Sequence, residues 1–217
     1  MIEEPATPEE LLARARALGG RTVGEVAVSL GVPLPPDPRR AKGFVGSLAE
    51  RALGASAGTA GEPDFQRLGV ELKTLPIRNG RVAESTFVCA APVGRADGLE
   101  WATSRVRAKL ARVLFLVVER DPPRRFGAAL LWEPSVEEEA VLRADWEDLV
   151  GRIGAGEVES IDATRGRWLQ LRPKGRNARA RQKTHDADGA PFWGPVRAFY
   201  LRALVTRRLL EEAGFVR

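Results

Sequence analysis

Val113-Leu114-Phe115-Leu116-Val117-Val118 is the stretch that restricts the fold most. Six consecutive apolar residues read as a strand buried on both faces, and such a strand needs packed layers on either side of it. The flanking patterns supply the rest of a sheet. Gly69-Val70-Glu71-Leu72-Lys73 alternates with period two, and Arg78-Asn79-Gly80-Arg81 carries an Asn-Gly turn signal. Glu84 to Ala91 reads as the next strand, and Ala128 to Trp132 follows a Pro122-Pro123 turn.

The covering helices are also marked. Thr7-Pro8-Glu9-Glu10 combines a hydroxyl cap, proline in the first turn and Glu10 at the capping-box position, for a helix to about Leu18. Further helices are predicted over Val23–Leu30, Arg39–Leu53, Thr103–Leu110 and Ser135–Arg152, and a last one from about Leu201 to Ala213. Trp168–Pro173 reads as a short strand, and the polar stretch from Lys174 to about Gly194 as loop or weak helix. The outcome is an α/β fold: a mixed β-sheet, its strands clustered between residues 70 and 132, flanked by helices.

A chain of 217 residues fits one large domain or two closely packed lobes, and we read residues 1–217 as a single domain with a basic part from about residue 165. No apolar run reaches the ~18–20 residues of a membrane span. The acidic start, Met1-Ile2-Glu3-Glu4-Pro5, does not resemble a signal peptide, and Cys89 is the single cysteine, so the expectation is a cytoplasmic protein without a membrane partner or an intrachain disulfide. From Arg165 to Arg208 there are twelve Arg or Lys against two Asp, whereas Glu133 to Asp162 holds ten acids against two Arg. Phosphate backbones are the commonest partner of such a basic patch; a solvated face without a ligand is the alternative.

The chemistry concentrates between Asp64 and Lys73. Glu71 and Lys73 share one face of the predicted strand, and Val70 and Leu72 the other. Two carboxylates that can converge on a hard cation, beside an ammonium, suit metal-assisted phosphodiester hydrolysis. Twenty-nine of the 34 cationic residues are Arg, so the five lysines, Lys73 among them, mark positions that favour a compact ammonium. The alternative places Glu71 and Lys73 on the solvent face of an edge strand. Predicted strands at Thr86-Phe87-Val88-Cys89 and Val113 instead set them well inside a sheet, where charges carry a cost that a function would explain. Other chemistries find little support: His185, the only histidine, lies in a polar stretch without metal-ligand or triad partners, and no Walker-type or dinucleotide-binding glycine loop occurs.

Lys42-Gly43, Leu53-Gly54-Ala55-Ser56-Ala57-Gly58, Asp64-Phe65 and Leu68-Gly69-Val70-Glu71-Leu72-Lys73-Thr74 resemble the MutH family of mismatch-repair endonucleases. Glu84, Thr86-Phe87-Val88-Cys89, Val106-Arg107-x-Lys109-Leu110, Leu130-Leu131-Trp132, Leu169-Gln170-Leu171-Arg172-Pro173-Lys174 and Phe199-Tyr200-Leu201 match as well, collinearly over roughly residues 8 to 205. The resemblance implies a restriction-endonuclease-like fold, with two lobes forming a DNA-binding cleft. It implies that Asp64 and Glu71 bind Mg²⁺, two ions per site, assisted by the Leu72 carbonyl and Glu50, with Mn²⁺ or Ca²⁺ able to substitute in binding. Lys73 would orient or help deprotonate the attacking water, and Lys109 matches a further active-site lysine.

The same resemblance implies nicking of the unmethylated strand at hemimethylated GATC sites by a monomer activated by MutL, and by MutS through it. Residues matching Lys42, Gly43, Arg172 and Pro173 approach bases, with Lys174 beside them. The residue matching Phe87 wedges at the site, and Tyr200 matches a position near the adenine methyl group. An Arg172 guanidinium fork suits guanine in the major groove. Core packing for Phe87 and a helix-capping role for Tyr200 are the structural alternatives. Ala41 stands where the family has an acid, and Arg176 to Val196 departs strongly from the family pattern. A restriction enzyme cutting both strands, or a DNA-binding protein without cleavage, are the competing functional readings.

Overall fold

The computed structural model describes residues 2–36, 43–56, 61–82, 84–94, 96, 98–174, 181–186 and 188–215. In chain order the elements are α1 (Pro8–Ala17), α2 (Val23–Ser29), α3 (Phe44–Leu53), β1 (Glu71–Arg78), β2 (Arg81–Val82), β3 (Thr86–Ala90), α4 (Arg105–Leu110), β4 (Val113–Glu119), β5 (Phe126–Trp132), α5 (Val136–Gly154), β6 (Leu169–Pro173), β7 (Arg181–His185), β8 (Pro191–Pro195), β9 (Arg197–Leu201) and α6 (Ala203–Glu212). The chain divides into two compact units: Met1–Glu84 with Ala111–Glu133 and Arg207–Arg217, and Ser85–Leu110 with Pro134–Thr206. Among the described residues, no helix is long and apolar enough to cross a membrane.

In the first unit β4 is the spine of a mixed sheet ordered β2-β1-β4-β5. All six residues from Val113 to Val118 are buried, as a strand covered on both faces requires. β1 runs parallel to β4, from Glu71 opposite Val113 to Ile77 opposite Glu119, while β1–β2 and β4–β5 are antiparallel. α1 packs on β5 and α3 on β1. Their shared core includes Leu11, Leu48, Leu53, Phe65, Leu72, Leu114 and Phe126, each contributing about 1.5–3 kcal/mol by leaving water.

The helix starts at Thr7, Thr22 and Ser135 follow their sequence signals, with one difference, while α3 begins at Phe44 and the start expected at Arg39 lies outside the described residues. Thr22–Glu25 and Ser135–Glu138 close reciprocal capping boxes. Thr7 accepts from the Glu10 amide, but the Glu10 carboxylate is drawn to the Ala6 amide at 2.7 Å and to Arg14 Nη2 at 2.6 Å instead of returning to Thr7. α3 ends at Gly54, whose φ of 81° is left-handed and whose missing Cβ would lie 2.4 Å from the Glu3 carbonyl oxygen. Only glycine lets the N-terminal segment pass so close.

The second unit holds an antiparallel sheet ordered β3-β9-β6, the separate β7–β8 hairpin, and helices α4 and α5. Its sheet faces are sorted by residue type. Leu169, Leu171, Phe199 and Leu201 are buried, while Arg172 and Phe87 are exposed and Tyr200 is half-buried. The start of β6 is fixed by Asp145 of α5, which is 9 % exposed. Its Oδ1 accepts from the Arg167 amide at 2.8 Å, and its Oδ2 from the amides of Trp168 and Leu169 at 2.6 and 2.9 Å. Gly166, at φ 84°, leaves room for this clamp, since a Cβ there would lie 2.0 Å from the Leu169 carbonyl oxygen.

The mixed α/β class is as the sequence indicates, but two expectations are corrected. The strand expected at Trp168–Pro173 is β6, but Lys174–Gly194, expected as loop or weak helix, contributes β7 and most of β8, and the final helix begins only after β9, which ends at Leu201. Arg181, Lys183 and His185 make one face of β7 polar, and prolines bound β8, so turn-like composition hides a two-stranded ribbon. Secondly, β3 is not a neighbour of β1. The Asn79-Gly80 turn, with φ of 50° and 71°, folds back only Arg81 and Val82 before the chain leaves for the second unit. At Glu71–Lys73 the ladder partner is therefore β4, because β2 reaches only Ile77 and Arg78.

Removing the Asp145 clamp leaves three amides without their acceptor. Asp145→Ala is predicted to cost on the order of 3 kcal/mol and Asp145→Asn less. The check is the urea midpoint at unchanged m-value.

Candidate functional site

Asp64 is placed by a compact reversal of the chain. Phe65 and Val70, both fully buried, form an antiparallel bridge, with Phe65 N donating to Val70 O at 2.9 Å and Val70 N to Phe65 O at 3.2 Å. Burial of these two side chains anchors the turn, and Gly69 at φ 63° closes it. The outer side is tied down as well. The Arg67 amide donates to Glu4 Oε1 at 3.0 Å, and Arg112, ion-paired with Glu133, donates through Nη1 to the Leu68 carbonyl at 3.2 Å. Sequence reasoning missed Glu4, whose partner lies 63 positions on and leaves no local signal.

The reversal delivers one Asp64 oxygen to the strand. Asp64 Oδ2 accepts from the Leu72 amide at 2.8 Å, at the residue between Glu71 and Lys73. The Glu71 amide donates to the Arg112 carbonyl at 3.0 Å, at the start of the β1–β4 ladder. Lys73 Nζ then lies 2.6 Å from Glu71 Oε1, which establishes that the two side chains share a face. Their side chains are only 14 % and 4 % exposed. A buried ion pair of this kind is roughly neutral for stability against apolar residues of the same size. Folding alone therefore gives no reason for it.

The structure thus brings together Asp64, Glu71, Leu72 and Lys73. The donors here are hard oxygens, from two carboxylates and a backbone carbonyl, and they fit a cation such as Mg²⁺ better than a soft metal. Glu50 is half-buried on α3, which packs against β1. Among the described residues no three His, Cys, Asp or Glu side chains are grouped to hold a metal ion. Lys109 is buried in the last turn of α4, in the second unit. Lys42 lies outside the described residues. Gly43 is the exposed cap of α3, at φ 91°, and lines a hollow of about 250 Å³ together with Thr74 and Arg120.

A second group of expected residues meets on the β3-β9-β6 sheet. Phe87 is opposite Tyr200, and Tyr200 is opposite Gln170, so these three share a face that Arg172 continues two residues on. The Phe87 and Tyr200 rings meet edge to face, with centroids 5.6 Å apart and planes at 79°. Arg172 Cζ lies 5.7 Å from the Tyr200 ring centre and Lys174 Nζ 5.5 Å from that of Phe87. Both are within cation–π range. Phe87 is 40 % exposed, so it is not the core residue of the alternative reading, and Tyr200 lies within β9 rather than capping a helix.

The neighbouring residues hold this face in place. Pro173 is opposite Arg197, which is 8 % exposed and donates through Nη2 to the carbonyls of Val158 and Glu159 at 3.0 and 3.2 Å. Burial pulls the Arg197 guanidinium below the ordinary arginine pKa, and the Glu159 charge opposes that shift.

Comparison with known proteins identifies the family of the chain. The family model described as the DNA mismatch repair enzyme MutH matches residues 53–145, which include Asp64, Glu71, Lys73, Phe87 and Lys109. The DNA mismatch repair protein MutH of Salmonella typhi is 49 % identical over 98 % of this chain and 94 % of its own length. That of Salmonella typhimurium is equally similar over the same shares. The helix-flanked mixed sheet is consistent with the restriction-endonuclease-like fold that the resemblance implies. The chain belongs to the MutH family of DNA mismatch repair enzymes.

Proposed function

We propose that this protein is a Mg²⁺-dependent DNA endonuclease of methyl-directed mismatch repair, which nicks the unmethylated strand at hemimethylated GATC sites when activated by MutL. We place it in the cytoplasm, as a monomer that reaches MutS through MutL. The observation that carries the chemistry is the buried Glu71–Lys73 pair, held beside Asp64 by the Leu72 amide. DNA gripped in a cleft is part of the same proposal and rests on the resemblance.

Asp64, Glu71 and the Leu72 carbonyl would hold Mg²⁺, with Glu50 assigned by the resemblance. When bound, the ion supplies charge stabilisation at the phosphate and acidifies a bound water. Mn²⁺ or Ca²⁺ would substitute in binding, and two ions per site is the family expectation. Lys73, held by Glu71, has its ammonium oriented before substrate arrives. As the ammonium it orients the attacking water and faces the charge that develops on the phosphate oxygens, or, having first given up its proton, the free amine helps to deprotonate that water. The water oxygen bonds to phosphorus as the ester oxygen leaves. Lys109 is proposed as a further active-site lysine on the resemblance alone.

Base recognition is assigned to the other group. The Arg172 guanidinium can present two parallel donors to guanine O6 and N7, and the Tyr200 ring beneath it limits its freedom. Exposed Phe87 is the wedge, Pro173 and Lys174 follow Arg172 along the DNA, Tyr200 is the residue nearest the adenine methyl, and Lys42 and Gly43 contact bases as the resemblance implies.

The test is plasmid DNA carrying unmethylated, hemimethylated or fully methylated GATC, with Mg²⁺ and with or without MutL. Nicking confined to the unmethylated strand and stimulated by MutL is expected. Double-strand cleavage without a partner would make it a restriction enzyme, and binding without cleavage a DNA-binding protein. Glu71→Gln and Lys73→Ala are each predicted to lower cleavage at least ~100-fold with duplex binding retained. Near-normal cleavage by Lys73→Ala would remove the role given to Lys73. Arg172→Lys keeps the charge but loses the fork, and is predicted to cost about 1–3 kcal/mol of discrimination at one base pair, read by competition between GATC and altered duplexes.

A further inference from the structure

The β7–β8 hairpin has an outward face that neither group of residues uses. Lys183 is opposite Trp193 and Arg181 opposite Pro195, while Gln182 is opposite Gly194 and Thr184 opposite Phe192. Directly opposed residues share a face, so Arg181, Lys183 and Trp193 lie on one side, and Gln182, Thr184, Phe192 and Gly194 on the other. The second side is packed. Thr184 is 5 % exposed, and a Cβ on Gly194 would lie 2.7 Å from Thr184 Cγ2 and 3.3 Å from Val158 Cγ1. The first side faces water: Arg181 and Lys183 are exposed, and so is Trp193, at 61 %.

The ribbon that presents this face is braced. Asp186 Oδ1 accepts from the amides of Asp188 and Ala190 at 3.0 and 2.8 Å, and Gly189 at φ 80° completes the turn. His185 Nε2 lies 3.2 Å from the Gly154 carbonyl oxygen. Gly94 passes so close that a Cβ there would lie 2.9 Å from the Lys183 carbonyl oxygen. At the exit, the Lys174 amide donates to the Val196 carbonyl at 2.8 Å, so β8 feeds directly into the sheet that carries Tyr200.

Trp193 stands out among the tryptophans. Trp101, Trp132, Trp146 and Trp168 are all 4–6 % exposed. A large apolar ring kept in water on a braced ribbon gives up its burial energy. Cations on the same face match a polyanion, and an exposed aromatic ring beside them packs against deoxyribose and base edges whatever the sequence. We infer that the outward face of the β7–β8 hairpin is an accessory contact for duplex DNA, with Lys183 and Arg181 at backbone phosphates and Trp193 against the sugar–base edge. The contact binds without reading sequence. The inference rests on the proposal that DNA is the substrate.

Because the other tryptophans are buried, acrylamide quenching of fluorescence reports chiefly on Trp193. A duplex of about 30 base pairs containing GATC, with Ca²⁺ in place of Mg²⁺, should cut that quenching several-fold, and Trp193→Phe should remove most of the quenching in the free protein. Trp193→Ala should weaken duplex binding roughly tenfold through lost apolar burial, and Lys183→Gln should flatten the slope of log affinity against log salt by about one. Binding is followed separately, by anisotropy of labelled duplex. Tight duplex binding with Trp193 still fully quenchable, or protection by MutL and not by DNA, overturns the hairpin contact and leaves the nuclease proposal standing. Failure to bind any duplex overturns both.

Discussion

The hydrogen bond from the Leu72 amide to the Asp64 carboxylate is the contact on which the candidate catalytic centre depends. It joins a turn to a strand, and each end is fixed by a different force. Burial of Phe65 and Val70 holds the turn, and the parallel ladder with β4 holds the strand. β4 can play that part because it is apolar throughout, so its own position is set by packing on both faces. The charged face of β1 is thereby displayed on a rigid support, which is what pre-organised chemistry requires.

The two groups of residues are built on contrasting principles. Around Glu71 and Lys73, charge is taken out of water and paired at short range. On the β3-β9-β6 sheet, charge stays in water and is steadied by aromatic faces, Arg172 by Tyr200 and Lys174 by Phe87. The first arrangement suits bond making and breaking, where solvent screening weakens every interaction. The second suits recognition, where a side chain must be positioned yet able to exchange water for a base edge. Asp145 and Arg197 serve the second group indirectly, by fixing β6 and β9 through backbone amides and carbonyls.

How much was legible in the sequence follows from the kind of signal each part leaves. Val113–Val118 and the alternation at Glu71-Leu72-Lys73 are local patterns tied directly to burial, and both reappear in the structure. The caps at Thr22 and Ser135 are equally local. β9 was hidden because Arg197–Leu201, mostly buried, shows little alternation and runs straight into a helix. The β7–β8 ribbon was hidden because half of its strand residues are Arg, Lys, Pro or Gly, and pairing across it, not composition, makes it a ribbon. The placing of β1 beside β3 failed because a two-residue β2 ends the hairpin, and nothing in Arg81-Val82 announces that. Asp145 and Glu4 were invisible for a simpler reason: their partners lie more than twenty residues away.

The central claim is that Asp64 and Glu71 form one cation site, with Lys73 oriented by Glu71. The most direct measurement is Mn²⁺ binding to the protein–duplex complex, followed by loss of the free-ion electron paramagnetic resonance signal, for wild type, Asp64→Asn and Glu71→Gln. The account predicts saturable Mn²⁺ uptake by wild type that Mg²⁺ displaces, and uptake at least tenfold weaker in each variant, with duplex affinity unchanged. Undiminished Mn²⁺ binding in both variants would contradict it.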